Sequence, residues 1–425
     1  MKNQLINLAA MAAVFAASTG ATIDAAAHDG DKTALEKKRE IYHEYTPDNF
    51  DDGGPVSHYV WKNFPAFFPH AVIARTASAR SLTNAPMQSV GNFPVTVDDT
   101  ETTLDAYVTG SPLIDGMIVL SGGKVVYEAY PRMKAHDRHL GWSVTKVYIS
   151  TALAALEMQG KVDVDLPIET YVEALARTDW AGISVRNIVN MASGIACLDS
   201  DGYQNTSSCI YQYEETLGLT APYNPPVDTL DLIKSMTRYR AANTKYEYVS
   251  PDTYVSGLVI ENVTGQPLPA ALQSLIWGRV GAEADGLIMV SPKGNSAAHA
   301  GLSARLRDVA RFGQVFTGDG FFGVIGSNHL SDLRSNNGIE FGPEQLFRLK
   351  ETWGEDAPTH AAWQWDMIWP DGMMFKGGYS GQGIFVAPEQ DIVIAFFGTA
   401  NTEGRSHDLL EISRQLATSR VLDPN

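Results

Sequence analysis

A serine followed three positions later by a lysine, at the head of an apolar run, is the first feature of this chain that could do chemistry. In Ser143-Val144-Thr145-Lys146 the run that follows, 144–159, has a helical pattern and is stopped by Gly160. Residues three apart on a helix share a face, so the Lys146 amine comes within reach of the Ser143 hydroxyl. At the first turn the serine's own N–H has no partner inside the helix and lies at the positive end of its dipole. A lysine buried beneath the hydroxyl gives up its proton readily, because desolvation disfavours the ammonium. That supplies a nucleophile, a base and one oxyanion donor. The spacing alone does not decide the matter. It recurs at Ser121 and Lys124, where two glycines place it in a hairpin turn, and Ser143 could equally serve as a helix N-cap ahead of a surface lysine.

Two further clusters could complete such a site. Tyr248-Val249-Ser250 precedes a helical run at 254–263. On an extended stretch, residues two apart point the same way. The phenol could relay a proton if neighbouring cations lower its pKa, and the serine could bond the lysine; otherwise this is a half-buried strand with ordinary hydroxyl partners. The third cluster is Lys376-Gly377-Gly378-Tyr379-Ser380-Gly381-Gln382-Gly383, leading into a β-run. Its glycines let an edge strand approach a substrate and present a backbone N–H as a second oxyanion donor; a flexible turn is the alternative. Trp363, Trp365 and Trp369 stand just before it and either line a cleft or pack in the core. Tyr203, Tyr211 and Tyr213 compete as partners for a leaving amine. Gly378 to Gln382 misses the nucleophile-elbow pattern at its last position. His136 and His139 are a close pair with no third ligand nearby, so no metal is expected.

The elements that must position these groups fall into three zones. A β-hairpin is expected at 117–130, turning on Gly122 and Gly123. Between about 161 and 300 the pattern is helical with polar loops, including short helices at 184–191 and 254–263, and another helix is expected at 303–316. Runs at 383–386 and 391–397, split by Pro388-Glu389-Gln390, should pair as a second hairpin, and a last helix covers 409–422. Strands at both ends with helices between imply one sheet built from the two ends of the chain and a cleft beside the helical part. Residues 28–100 show no clear period and read as an N-terminal extension.

Composition narrows the function classes. The chain has 425 residues, 44% of them apolar, enough for a sizeable core, and a formal charge of −17. That charge, with no basic run, argues against a nucleic-acid partner. Lys2, an apolar stretch at 5–21 and Ala25-Ala26-Ala27 read as a secretory signal over 1–27, with an uncleaved membrane anchor as the alternative that Ser18, Thr19 and Gly20 in the run disfavour. The mature chain is therefore expected to be exported, periplasmic or secreted, and free of the membrane. In such a compartment Cys197 and Cys209 could close a disulfide across a short loop, or stand as two thiols.

Taken in chain order, Ser143-x-x-Lys146, "EMQGKVDVDLPIETYV", "YEYVSPDTYVSGLVIENVTGQPL", "AGLSARLRDVARFGQ" and "GGYSGQGIFVAPEQDIVIAF" resemble the serine β-lactamase-like hydrolases over residues 110–400. That group includes class C β-lactamases, penicillin-binding carboxypeptidases, related esterases and 6-aminohexanoate-dimer hydrolases. The resemblance implies an α+β fold, a mainly antiparallel sheet flanked by helices with an inserted mostly helical domain, here within 101–425. It makes Ser143 the acylated nucleophile, Lys146 its proton acceptor and Tyr248 the family tyrosine. Ser250 stands where true β-lactamases carry asparagine, as in the 6-aminohexanoate-dimer hydrolases. Aligning the last motif on Tyr379-Ser380-Gly381 makes the Gln382 N–H the second oxyanion donor beside Gly381; Lys376-Gly377-Gly378 is the competing alignment. Tyr203, Trp365 and Tyr379 become substrate-binding candidates. The activity implied is cleavage of an amide or ester in a small molecule or short oligoamide through an acyl-enzyme, without cofactor or metal. A D-aminopeptidase, carboxypeptidase, linear-peptide hydrolase or carboxylesterase on the same fold is the alternative, as is a non-catalytic binding protein, against which the intact Ser143, Lys146 and Tyr248 argue.

Overall fold

The computed structural model describes residues 33–75, 78–318, 322–334 and 339–422. The leader at 1–27 lies outside them. Nine strands of the described residues form the main sheet. Their order is Ile339–Glu340, His360–Ala362, Trp365–Ile368, Met374–Gly377, Gly383–Ala387, Ile392–Gly398, Ile114–Ser121, Lys124–Ala129 and Thr83–Asn84. Neighbours run antiparallel, except that Thr83–Asn84 lies parallel to Lys124–Ala129. Both expected hairpins are present, and Ile392–Gly398 joins them through Ile114–Ser121. The two ends of the chain thus share one sheet.

These central strands read as unbroken apolar runs because both faces are covered. Along Ile392–Gly398, Val393, Ala395 and Phe397 enter one core, while Ile392, Ile394 and Phe396 enter the other, the two-residue period of a strand. The helix Leu306–Gly313 adds Leu306, Val309, Ala310 and Phe312 to the first core. The helix Leu409–Thr418 adds Leu409, Leu410, Ile412 and Leu416 to the second. Between Ala129 and Ile339 the described chain is mostly helical and adds no strand to the main sheet.

The helix Thr145–Met158 is buried along its first twelve residues and packs against Ser250–Thr264, with Tyr148 stacked on Phe312 at 3.8 Å between ring centres. A helix apolar all round belongs in an interior, and this one fixes its own first turn at the edge of the core.

Three expectations need correction. The described residues of the segment 28–100 are no appendage. His70–Ile73 joins a second sheet with Gly286–Met289, Leu302–Ala304 and His139–Leu140, and Phe50, Trp61 and Phe64 are fully buried in the main core. The helix expected at 303–316 starts only at Leu306; the apolar residues before it form the strand Leu302–Ala304. Ser250 is not on an extended stretch: Val249 is the extended N-cap, and Ser250 opens the helix Ser250–Thr264 with Pro251 behind it. Among the described residues no helix is long and apolar enough to cross a membrane.

Candidate active site

Ser143 lies in a 3₁₀ turn, Trp142–Val144, that runs straight into the helix Thr145–Met158. Its predecessor Trp142 has φ 47°, a backbone region that a bulky residue adopts only when its surroundings impose it. Those surroundings are aromatic: Phe50 stacks on the indole at 5.5 Å, while Trp61 and Tyr379 meet it edge-on at 5.6 Å. The turn is also pinned to the strand Leu302–Ala304. Gly141 N–H donates to the Leu302 carbonyl at 2.8 Å, and Leu302 N–H donates to Thr145 Oγ1 at 3.0 Å. Sequence reading took part of this anchoring segment for helix.

One helical turn on, Lys146 is fully buried, and its Nζ lies 3.0 Å from Ser143 Oγ and 2.9 Å from the His299 carbonyl. Burial pushes the amine down to about 7; the Lys376 charge adds to that, while Asp199, Asp366 and Glu214 oppose it. The amine stands beside Ser143 with a neutral form accessible near pH 7.

Tyr248 brings its ring under both lysines, 5.0 Å from Lys146 Nζ and 4.6 Å from Lys376 Nζ, and its oxygen accepts from Lys376 at 2.8 Å. Neighbouring cations do not ionise it. Burial, with Asp366 and Asp199 nearby, raises the phenol well above its ordinary range, and a hydrogen bond with Ser143 only partly opposes them. The group is therefore a neutral phenol, able to donate. Lys376 itself is fully buried in an ion pair with Asp366, Nζ to Oδ1 2.5 Å, while Asp366 Oδ2 accepts from Gly377 N–H at 2.9 Å. Burial pushes that carboxyl up and that amine down, and each partner opposes the other's shift.

Of the two alignments for the last motif, Lys376-Gly377-Gly378 is the one whose lysine reaches the site. The hairpin tip after it passes so close to the turn carrying Ser143 that a Cβ on Gly378 would stand 2.5 Å from the Gly141 carbonyl oxygen. Tyr379 lines a small cavity with Trp142, Ser143, Tyr203, Glu214 and His299. The Gln382 side-chain amide donates to the Gly398 carbonyl at 2.7 Å, and its backbone carbonyl accepts from Gly378 N–H at 2.8 Å. The Gly381 carbonyl meets His407 Nε2 at 2.9 Å. Neither residue is among those that line the small cavity.

Tyr203 is the tyrosine at the cavity. Tyr211 donates to the Ala221 carbonyl and Tyr213 meets His299 Nδ1 at 3.1 Å. Trp365 is a core residue, 1% exposed and packed edge-on against Phe316, and Trp363 and Trp369 are as buried. Ser250 Oγ bonds not the lysine but Asp199, at 2.6 Å, and the Ser250 N–H bonds the same carboxylate at 2.7 Å. Cys197 and Cys209 form a disulfide. His139 is buried against Asp115, while His136 sits at the surface beside Asp137.

Sequence reading missed Asp199, Asp366, Glu214 and His299, which distant stretches bring in. It also missed Phe50 and Asp51, which carry the N-terminal segment to the cavity wall. Asp51 is pushed up to about 8 by burial, then by Asp52, Glu214 and Asp48. A carboxylate two residues from a paired cysteine was the one local signal available for Asp199.

The family model described as Beta-lactamase matches residues 105–418. The 6-aminohexanoate-dimer hydrolase of Paenarthrobacter ureafaciens is 27% identical over 268 residues, 63% of this chain and 66% of that protein, so the match spans just under two thirds of its length. A Bacillus anthracis protein provisionally described as a 6-aminohexanoate-dimer hydrolase has the same fold, with TM-score 0.74 at 18% identity, over 88% of this chain and 95% of that one. EstCE1, a hydrolase with promiscuous acyltransferase activity, aligns with TM-score 0.53 at 14% identity, over 74% and 96% of the two chains. With the antiparallel sheet, the flanking helices and the match of the family model over residues 105–418, this chain belongs to the beta-lactamase family and is related to 6-aminohexanoate-dimer hydrolase.

Proposed function

We propose that this chain is an exported serine hydrolase that cleaves an amide or ester through an acyl-enzyme on Ser143. The observation that carries the reading is the buried Lys146 amine, 3.0 Å from the Ser143 hydroxyl. Neutral Lys146 takes the hydroxyl proton as Ser143 Oγ attacks the carbonyl carbon. The Ser143 N–H at the head of its helix and the Tyr379 N–H at the hairpin tip stabilise the oxyanion, each such donor worth about 3 kcal/mol. Tyr248 gives its proton to the departing amine or alcohol and is reprotonated from Lys146. Water then attacks the ester as neutral Lys146 takes its proton, directly or through Tyr248 passing its own proton on, and Ser143 Oγ leaves by taking that proton back from Lys146.

Two features support a substrate with a cationic end. Asp51 and Glu214 both line the cavity at Ser143; the Asp51 carboxyl, held up to about 8 by burial and its acidic neighbours, gains its charge when an ammonium comes beside it, while Lys376 is committed to Asp366. The related Paenarthrobacter enzyme is named for a 6-aminohexanoate dimer, and the amino end of an oligoamide of that kind suits this wall. The same wall suits the amino end of a short peptide, the aminopeptidase alternative. Export rests on the leader-like start of the sequence, with the disulfide in keeping.

The reading is tested with the Ser143→Ala variant, a chromogenic ester and a fluorophosphonate probe. Both turnover and labelling should vanish, and retention of either sinks it. A panel of aminohexanoate dimers, D-residue peptides and neutral esters then ranks the substrate classes. Asp51→Asn should raise KM for the members with an ammonium end and leave the neutral esters unchanged.

A further inference from the structure

Behind the groups that would do the chemistry lies a carboxylate that touches none of the reacting atoms. Asp199 Oδ2 accepts from Ser250 Oγ at 2.6 Å and from the Tyr203 hydroxyl, and Oδ1 accepts from Ser250 N–H at 2.7 Å. Its own backbone N–H donates to the Tyr248 carbonyl at 3.1 Å. One residue thus holds both ends of Tyr248-Val249-Ser250 and the tyrosine on the cavity wall. Asp199 is 5% exposed, so its bonds do not compete with water.

The loop carrying Asp199 is closed covalently. Cys197, two residues before it, is bonded to Cys209, the first residue of the helix Cys209–Leu217. That helix supplies Tyr213 and Glu214, which grip the His299 ring at Nδ1 (3.1 Å) and Nε2 (2.6 Å). The His299 carbonyl is the second partner of Lys146. A single stapled segment, 197–217, therefore reaches the tyrosine through Asp199 and the lysine through His299.

We infer that Asp199 is a positioning residue for Tyr248, and that the Cys197–Cys209 bridge keeps it in place; the inference rests on the Ser143 hydrolase reading above. Groups in place before reaction lower its barrier, and a displacement of about 1 Å can cost a hundredfold. Asp199 is also one of the anions facing Lys146, together with Asp366 and Glu214; Lys376 is the opposing cation and Tyr248 the neutral neighbour. Removing its charge leaves the ammonium less supported, so the pH at which Lys146 becomes neutral falls.

The test uses full-length Asp199→Asn, whose side chain keeps the size and one acceptor. With a chromogenic ester, kcat should fall between about tenfold and a hundredfold while KM changes little. The acid limb of kcat/KM should move to lower pH, a displacement that mere loosening would not produce. Fluorophosphonate should still label Ser143, only more slowly. Unchanged kcat with an unmoved limb overturns the inference. If Asp199→Asn does not stay folded, Ser250→Ala, which removes one donor to the same carboxylate, should lower kcat several-fold, and wild-type kcat in that variant overturns the inference too. Failure of the hydrolase reading looks different, since the wild-type protein itself would then take no label on Ser143.

Discussion

The Lys146 amine approaches the Ser143 hydroxyl from inside the protein, Nζ to Oγ 3.0 Å, with its other bond to the His299 carbonyl and no exposure to solvent. The role of base proposed for it rests on that burial, which disfavours the ammonium more than Asp199, Asp366 and Glu214 together restore it.

The pH dependence of kcat/KM follows directly. A protonated amine cannot accept the serine proton, so activity is absent on the acid side and appears as Lys146 deprotonates, through about pH 7. Tyr248 adds no limb in that range, because burial holds its phenol neutral well above it. Initial rates with a neutral ester between about pH 5 and 9 check this. A flat profile there argues that another group takes the proton.

The spacing of Ser143 and Lys146 was legible in sequence because the 3₁₀ turn holding Ser143 runs straight into the helix holding Lys146, where a local period suffices. Tyr248 was legible for a related reason, standing at the mouth of a helix that the apolar pattern announces. Asp199 and Asp366 were not, since only the folded chain brings position 199 to 250 and position 366 to 376. Trp365 misled because a tryptophan near a glycine-rich motif suits a cleft wall and a core equally, and the packing against Phe316 decides for the core. Residues 303–304 were read as the start of a helix because a short run fits either period, and pairing with Gly286–Met289 and His139–Leu140 made Leu302–Ala304 a strand. The antiparallel sheet and its two hairpins were readable from their own turns, while the N-terminal segment was not, its strands being short edge pieces completed by partners far along the chain.

Gly378→Ala tests the close approach of the hairpin tip to the nucleophile's turn. The added methyl would stand 2.5 Å from the Gly141 oxygen and 2.7 Å from Gln382 Oε1, so one of the two turns must shift. We expect kcat to fall at least about tenfold, because that shift separates the two oxyanion donors, with only a modest change in the thermal midpoint. Full activity would mean that the Tyr379 N–H is not one of them.

The ion pair Lys376–Asp366 is expected to matter to both folding and catalysis. Removing one partner, as in Asp366→Leu, strands a buried charge and should destabilise the protein by about 3–5 kcal/mol in urea titrations. The double variant Lys376→Met with Asp366→Leu should regain most of that stability, since an apolar pair of similar volume needs no desolvation. Activity should not return with it, because the donor to Tyr248 is gone. Recovery of both would assign the pair a structural role alone.

Peptide mapping of the covalent adduct tests the central claim most directly. Wild-type protein and Lys146→Ala are each treated with a fluorophosphonate near pH 8 and digested, and the modified residue is located by mass spectrometry. The expected result is one adduct, on Ser143, formed rapidly in the wild type and at least about a hundredfold more slowly without the lysine. An adduct on another residue, or equal rates in the two proteins, would contradict the assignment of Ser143 and Lys146 as nucleophile and base.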